Sequence, residues 1–284
     1  MAADLDQMKD PLGLLRLGYA GPLLEHKVKR WERGIAIERT ESVAEEVPVT
    51  LVYNKTPHVV MMATPADLED FALGFSMTEE LIGSPSDLEA VELVRYSRGI
   101  EIQARVPEAV AAALAERTRR LTGGTGCGIC GADSVDAVLK QLHPVPPGGV
   151  VAADAIHRAL LALAARQTYN AATGTVHAAA WATAEGELQE VREDVGRHNA
   201  LDKLIGALLK RGVEARSGFV LVTSRASFEM VQKVTMLGAP LMAAISGPTG
   251  LAIRVAQQAG VTLVGFARSD RLSVYTHPER VIGS

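Results

Sequence analysis

Apolar residues recur along this chain with two different periods, and the switches between them divide it into elements. Alternating Val47-Pro48-Val49-Thr50-Leu51-Val52-Tyr53 and Val59-Val60-Met61-Met62-Ala63 flank Asn54-Lys55-Thr56-Pro57, which predicts a hairpin. Thr64-Pro65 then reads as a helix start, with Thr64 as cap and Pro65 in the first turn; Leu68, Phe71, Phe75 and Ile82 fall near one face, and Gly83 closes the element. Strands over 90–96 and 100–106 meet at Ser97-Arg98-Gly99, and a helical pattern runs from Glu108 to Leu121. Another helix starts at Asp133 or Ser134 and runs toward Leu142. Residues 1–33, interrupted by Pro11, Gly13, Gly18, Gly21 and Pro22, show neither period and read as a poorly ordered leader.

The segment His143-Pro144-Val145-Pro146-Pro147-Gly148-Gly149 sustains no regular pattern and marks a domain junction. Beyond it come an Ala-rich helix over 152–169 and strands over 176–183 and 187–193, joined at Glu185-Gly186. Helices over 195–211, 227–236 and 249–259 then alternate with strands over 218–223, 241–246 and 261–266. That alternation predicts a layered α/β domain over 150–284 with largely parallel strands, preceded by a smaller α+β domain over 34–143.

Composition narrows the function. The 284 residues are 48% hydrophobic and carry a net charge of -4, an ordinary globular balance, and with 4% aromatics there is neither a basic excess nor the aromatic interleaving that a nucleic-acid surface needs. The acidic start Met1-Ala2-Ala3-Asp4 has no apolar core of a signal peptide, and no run of about eighteen apolar residues occurs. The expectation is a cytoplasmic protein without nucleic-acid or membrane partners, in a compartment where thiols stay reduced.

Candidate chemistry is concentrated in one place. Both cysteines of the chain, Cys127 and Cys130, lie within Thr122-Gly123-Gly124-Thr125-Gly126-Cys127-Gly128-Ile129-Cys130-Gly131, part of a glycine-rich loop over 122–134. Zinc is disfavoured, because neither a second C-x-x-C nor an H-x3-5-H completes a ligand set and only His177 and His198 stand as distant helpers. A thioredoxin-like dithiol would open a helix directly, whereas here helical pattern resumes after Gly131 and Ala132. A thiol on a tether fits the loop best.

Polar residues of the second half gather where strands hand over to helices, which is where α/β folds place ligands. In Arg192-Glu193-Asp194-Val195-Gly196-Arg197-His198-Asn199-Ala200-Leu201-Asp202-Lys203, a helix starting near Asp194 would put Asp194, His198 and Asp202 on one face. Thr223-Ser224-Arg225-Ala226-Ser227-Phe228-Glu229 and Ser246-Gly247-Pro248-Thr249 can each offer N–H groups and hydroxyls to phosphate. After the last buried strand come Phe266, Ala267, Arg268, Ser269, Asp270 and Arg271. There two guanidiniums suit phosphate, a ring can stack on a base, and a carboxylate can accept from guanine. Two arginines after a strand are also compatible with plain surface.

Together these strings resemble the formate dehydrogenase accessory sulfurtransferase family, FdhD. They occur in its order, with Thr173-Gly174-Thr175-Val176-His177-Ala178-Ala179-Ala180 and Ser224–Lys233 among them, from about Glu38 to Tyr275-Thr276-His277-Pro278. Thr175 departs from the family's pattern, which has glycine there. The resemblance implies a persulfide taken from a cysteine desulfurase by Cys127, with Cys130 assisting or resolving, and passed to the molybdenum (or tungsten) bis-guanine-dinucleotide cofactor before its insertion into formate dehydrogenase. It also implies cofactor binding by Phe266–Arg271, a homodimer, and a cytidine-deaminase-like second domain. Deamination itself is rejected: His177-Ala178-Ala179 lacks the glutamate of H-x-E, and no cysteine pair follows it. A cofactor-binding chaperone without sulfur transfer and a thiol-disulfide oxidoreductase are the competing readings.

Overall fold

The computed structural model describes residues 21–121 and 142–283. The glycine-rich loop with Cys127 and Cys130, and the helix expected toward Leu142, lie outside the described residues.

The described residues begin with a hairpin whose first strand falls inside the expected leader. Strands β1 (Leu23–Glu32) and β2 (Ile35–Ala44) pair over their whole length. They turn at Arg33-Gly34, both with positive φ, the conformation that matches strand twist in a two-residue hairpin turn. The expectation of a patternless 1–33 is therefore corrected from Leu23 onward. Glycine at Gly21 and Gly34 flanks the first strand rather than breaking it.

The first sheet has the order β4-β3-β6-β5, from β3 (Val47–Tyr53), β4 (Thr56–Ala63), β5 (Ala90–Tyr96) and β6 (Gly99–Arg105). Val47, Val49, Leu51 and Tyr53 alternate onto one face, where Leu68, Phe71 and Phe75 of α1 (Leu68–Thr78) bury against them. Helix α2 (Glu108–Leu121) adds Leu114 to this core. The helix expected from Thr64 starts four residues later, because every polar group of Thr64 is committed elsewhere, as described below. Asp67 precedes α1 in the left-handed region instead.

The second sheet is the centre of a three-layer unit, ordered β13-β12-β11-β10-β8-β9. Its strands are β8 (His177–Thr183), β9 (Leu188–Asp194), β10 (Gly218–Val222), β11 (Leu241–Ala244), β12 (Thr262–Gly265) and β13 (Ser273–Val274). Only β10–β11 and β11–β12 are parallel, so the expected largely parallel sheet is a mixed one. The short connection through Glu185-Gly186 can join only antiparallel neighbours, β8 and β9, and β8 also runs antiparallel to β10 on its other side.

Alternate residues of the central strands face opposite layers. Ala178, Ala180, Phe219, Leu221 and Ala243 pack against α3 (Ala153–Arg166), while Ala179, Trp181, Val220, Val222 and Met242 pack under α5 (Arg197–Lys210), α6 (Phe228–Leu237) and α7 (Gly250–Ala259). The Ala-rich helix ends at Arg166, and a separate short α4 (Thr168–Thr173) follows, stopped by Gly174 at φ 69°. Strands β7 (Val151–Ala152) and β14 (Val281–Ile282) form a small parallel pair.

The two sheets meet through α1 and α5. Their backbones touch at Gly74 and Gly206: a Cβ at Gly74 would stand 1.7 Å from the Asp202 carbonyl oxygen, and one at Gly206 1.9 Å from that of Asp70. No larger residue fits this crossing.

Candidate functional site

Strands β10, β11 and β12 end on one edge of the second sheet, and so do the start of β8 and the end of β9. Five chain segments meet there: Phe266–Arg271, Ser246–Thr249, Thr223–Glu229, His177 and Asp194–His198. This is the crevice at the carboxyl ends of the parallel strands, where open α/β sheets receive ligands.

At one end, Phe266 is held at φ 49°, an uncommon conformation for a bulky residue, with its N–H donating to Ser246 O at 3.2 Å. The next N–H, of Ala267, donates to Ala244 O at 3.0 Å, and Ala267 is buried. Splaying the strand end this way lays the Phe266 ring on Gly247, whose missing side chain leaves the room; a Cβ there would come within 2.7 Å of the ring. Phe266 is nevertheless 43% exposed. Arg268 N donates to Arg271 O at 2.8 Å, closing a turn that leaves Arg268, Ser269, Asp270 and Arg271 in solvent.

The neighbouring junctions are tied to each other. Thr249 N donates to Ala226 O at 3.0 Å, the Thr249 hydroxyl accepts from Ala252 N to cap α7, and the Ser224 hydroxyl donates to Arg225 O at 3.0 Å. Ser227 precedes α6 without capping it; its hydroxyl turns to Glu229, 3.4 Å away. At the other end Glu229 Oε2 stands 3.2 Å from His198 Nε2. The His198 interaction first, and then its charge and that of Arg197, hold Glu229 below the usual carboxylate range against the effect of burial. Burial, then the Arg197 charge, push His177 below the usual imidazole range.

A profile of the FdhD/NarQ family matches residues 44–282. The chain belongs to that family. It is 52% identical over 254 residues to a protein of Xanthomonas campestris pv. campestris named sulfur carrier protein FdhD, covering 89% of this chain and 90% of that one. It is 50% identical over 246 residues to the protein of the same name from Bordetella petrii, covering 87% and 88%. In three dimensions it is similar to a crystal structure from Desulfotalea psychrophila provisionally described as a formate dehydrogenase accessory protein. That match has a TM-score of 0.74 and 24% identity over 92% of this chain and all of that one, and it shows the shared fold.

Of the expected triad on one helical face, only His198 is part-exposed at the edge. Asp194 ends β9 outside the helix and is buried, accepting from Gly196 N, Asn199 Nδ2 and Thr64 N at 2.7, 3.0 and 3.0 Å and pairing with Lys203 at 2.6 Å. Thr64 in turn accepts from Val195 N at its hydroxyl and from Lys203 Nζ at its carbonyl. Asp202 lies deeper, paired with Lys233 at 2.9 Å and accepting from the Thr78 hydroxyl at 2.7 Å. Both carboxylates thus weld the second half to the first.

Sequence reasoning missed Lys203 and Lys233 as their partners and missed the pairing of His198 with Glu229, 31 positions apart. The one available signal was a lysine on each of two helical faces that otherwise bury apolar residues. No group of three His, Cys, Asp or Glu side chains among the described residues could hold a metal ion. A cavity of about 220 Å³ lined by Arg216, Pro240 and Thr262 opens at the opposite edge of the sheet and contains none of the expected site residues.

Proposed function

We propose that this protein is a cytoplasmic sulfur carrier for formate dehydrogenase maturation, and that it holds the guanine nucleotide of the molybdenum (or tungsten) bis-guanine-dinucleotide cofactor, its substrate, at Phe266–Arg271. The observation that carries the nucleotide reading is the strained Phe266 turn, which leaves a part-exposed aromatic residue beside two arginines and a carboxylate at the carboxyl edge of the sheet. Phe266 stacks on the base, Arg268 and Arg271 meet the diphosphate, and Asp270 accepts from guanine. The names of the relatives support the carrier role. The strand order, with the antiparallel β9-β8 pair beside β10-β11-β12, supports a cytidine-deaminase-like layering. Among the described residues no helix is long and apolar enough to cross a membrane.

In the proposed chemistry the Cys127 thiolate attacks the terminal sulfur of the persulfide on a cysteine desulfurase. A new S–S bond forms at Cys127, the donor's S–S bond breaks, and the donor cysteine leaves as thiolate. Attack by Cys130 on Cys127 would then release hydrosulfide and leave a disulfide between the two, which cellular thiols reduce. The partners are the desulfurase, formate dehydrogenase and a second copy of the chain.

Three measurements test this reading. Incubation with a desulfurase and cysteine should add one sulfur to the intact mass of wild type and of Cys130→Ala, and none to Cys127→Ala; an adduct that persists in Cys127→Ala overturns the assignment. Calorimetry should show GDP bound better than ADP or CDP, and weakened by about 1 to 3 kcal/mol in Arg271→Ala. A formate dehydrogenase matured with Cys127→Ser should contain metal and pterin and be inactive; full activity would leave a chaperone in place of the carrier.

A further inference from the structure

The cavity of about 220 Å³ at the opposite edge of the second sheet has a chemistry of its own. It opens where β10, β11 and β12 begin, at Gly218, Leu241 and Thr262, and Val151 of β7, Ala184 and Pro240 extend its apolar lining.

Two arginines share that lining. Arg280 Nη1 donates to the Gly260 carbonyl at 2.6 Å, which anchors the guanidinium two residues upstream of Thr262. Arg216 Nη2 donates to Glu214 at 3.0 Å. A guanidinium has several N–H donors, so each fork keeps open positions. The acids beside them, Glu214 and Glu279, are two-thirds in solvent, and exposed pairs of this kind hold little free energy against a better-placed anion.

A third polar group is unmet. Leu263 packs into the core under α5, α6 and α7 and Val264 into the core against α3, so alternation puts the Thr262 side chain on the α3 face, where the lining residues Val151 and Leu241 also pack. Thr262 is fully buried there, and its hydroxyl has no hydrogen-bond partner in the protein. Such a group is costly, and on a cavity wall beside two arginines a ligand oxygen is the partner it lacks.

Size limits the ligand. At ~30 Å³ for each water, the cavity has room for about seven, below the roughly 300 Å³ at which pockets begin to take drug-sized molecules. A nucleotide exceeds it, and an inorganic anion would leave the apolar lining uncovered.

We propose that this cavity binds a small organic carboxylate of about seven heavy atoms. Its oxygens lie on Arg280 and Arg216 beside the Thr262 hydroxyl, where planar donor forks suit a carboxylate, and its apolar body lies on Val151, Pro240 and Leu241. The site is independent of both the sulfur-carrier and the nucleotide readings.

The test is a ligand-observed NMR titration of the full-length protein with isovalerate and with isovaleramide, which has the same shape and no charge. The acid should bind at least tenfold more tightly than the amide, and at least tenfold more tightly than acetate, which lacks the apolar body. Arg280→Gln and Arg216→Gln should each weaken isovalerate at least threefold, and Ala184→Leu, which puts a larger side chain on the lining, should abolish binding. Thr262→Val keeps the shape and removes the hydroxyl: affinity for the acid should fall while the melting temperature does not.

Absence of saturable isovalerate binding, or equal affinity for acid and amide, overturns the proposal. So does acetate bound as tightly as isovalerate, because the apolar lining would then contribute nothing. Affinity left unchanged by both Arg280→Gln and Arg216→Gln, at wild-type melting temperatures, overturns it as well, since the carboxylate would lie elsewhere.

Discussion

At the scale of single residues, the site depends on groups whose neighbours change their ordinary chemistry. His177 lies half-buried at the start of β8, and its folded-state value is below the ordinary 6.5. Below pH 6.5 the unfolded chain therefore binds a proton that the folded chain refuses, so stability falls as pH is lowered through 6.5 toward the native value and levels off beneath it. Glu229 acts in a separate window, its contribution being lost as pH falls from 4.5 through its depressed native value. Urea unfolding at a series of pH values should show the first slope in wild type and lose it in His177→Asn. An unaltered slope in that variant would assign it to another group.

At the scale of elements, α5 carries two jobs on two faces. Its first turn brings Arg197 and His198 to the carboxyl edge of the second sheet, and its middle presses Gly206 against α1 while Asp202 takes Lys233 from α6. Removing one member of a buried ion pair leaves the other uncompensated, at about 3 to 5 kcal/mol. Lys233→Met should cost that much, and adding Asp202→Leu should restore a large part. If the double variant is no more stable than the single, Asp202 is not the group that Lys233 neutralises. Gly206→Ala tests the crossing itself: the new methyl meets backbone rather than a yielding side chain, and denaturant titration should show a loss of about 3 kcal/mol or more.

At the scale of the whole molecule, the core under the first sheet meets the one on the facing side of the second sheet at Leu209, and polar groups tie the two halves further. Thr64, from the first half, spends its N–H, hydroxyl and carbonyl on Asp194, Val195 and Lys203, and Asn199 Nδ2 donates back to Met62 O at 2.8 Å. Arg192 adds Asp70 at 2.8 Å. These ties predict one cooperative unfolding step. The chain has two tryptophans, so in Trp31→Phe the fluorescence comes from Trp181, buried in the second core. Its thermal transition should coincide with the loss of helix and strand by far-ultraviolet circular dichroism. Two separated transitions would show that the halves unfold independently.

The hydrophobic pattern alone determined most elements of the second half and the hairpin of the first, because period-2 and period-3.6 burial is written locally. It also placed Ser246–Thr249 and Thr223–Glu229 at strand-to-helix junctions, since Gly, Ser and Thr there have few other uses, and Phe266–Arg271 directly after a buried strand. Strand β1 escaped it because that ribbon pairs only with β2 and is mostly exposed, so few of its apolar residues had to follow a period. The start of α1 escaped it because Thr64, a good cap by local rules, is drawn away by a buried lysine and aspartate some 130 to 139 positions downstream. Strand direction, the separation of His198 from Asp194 and Asp202, and the meeting of His198 with Glu229 were decided only by the tertiary structure. Each depends on which segments lie side by side across the sheet, and local periodicity carries no information about that adjacency.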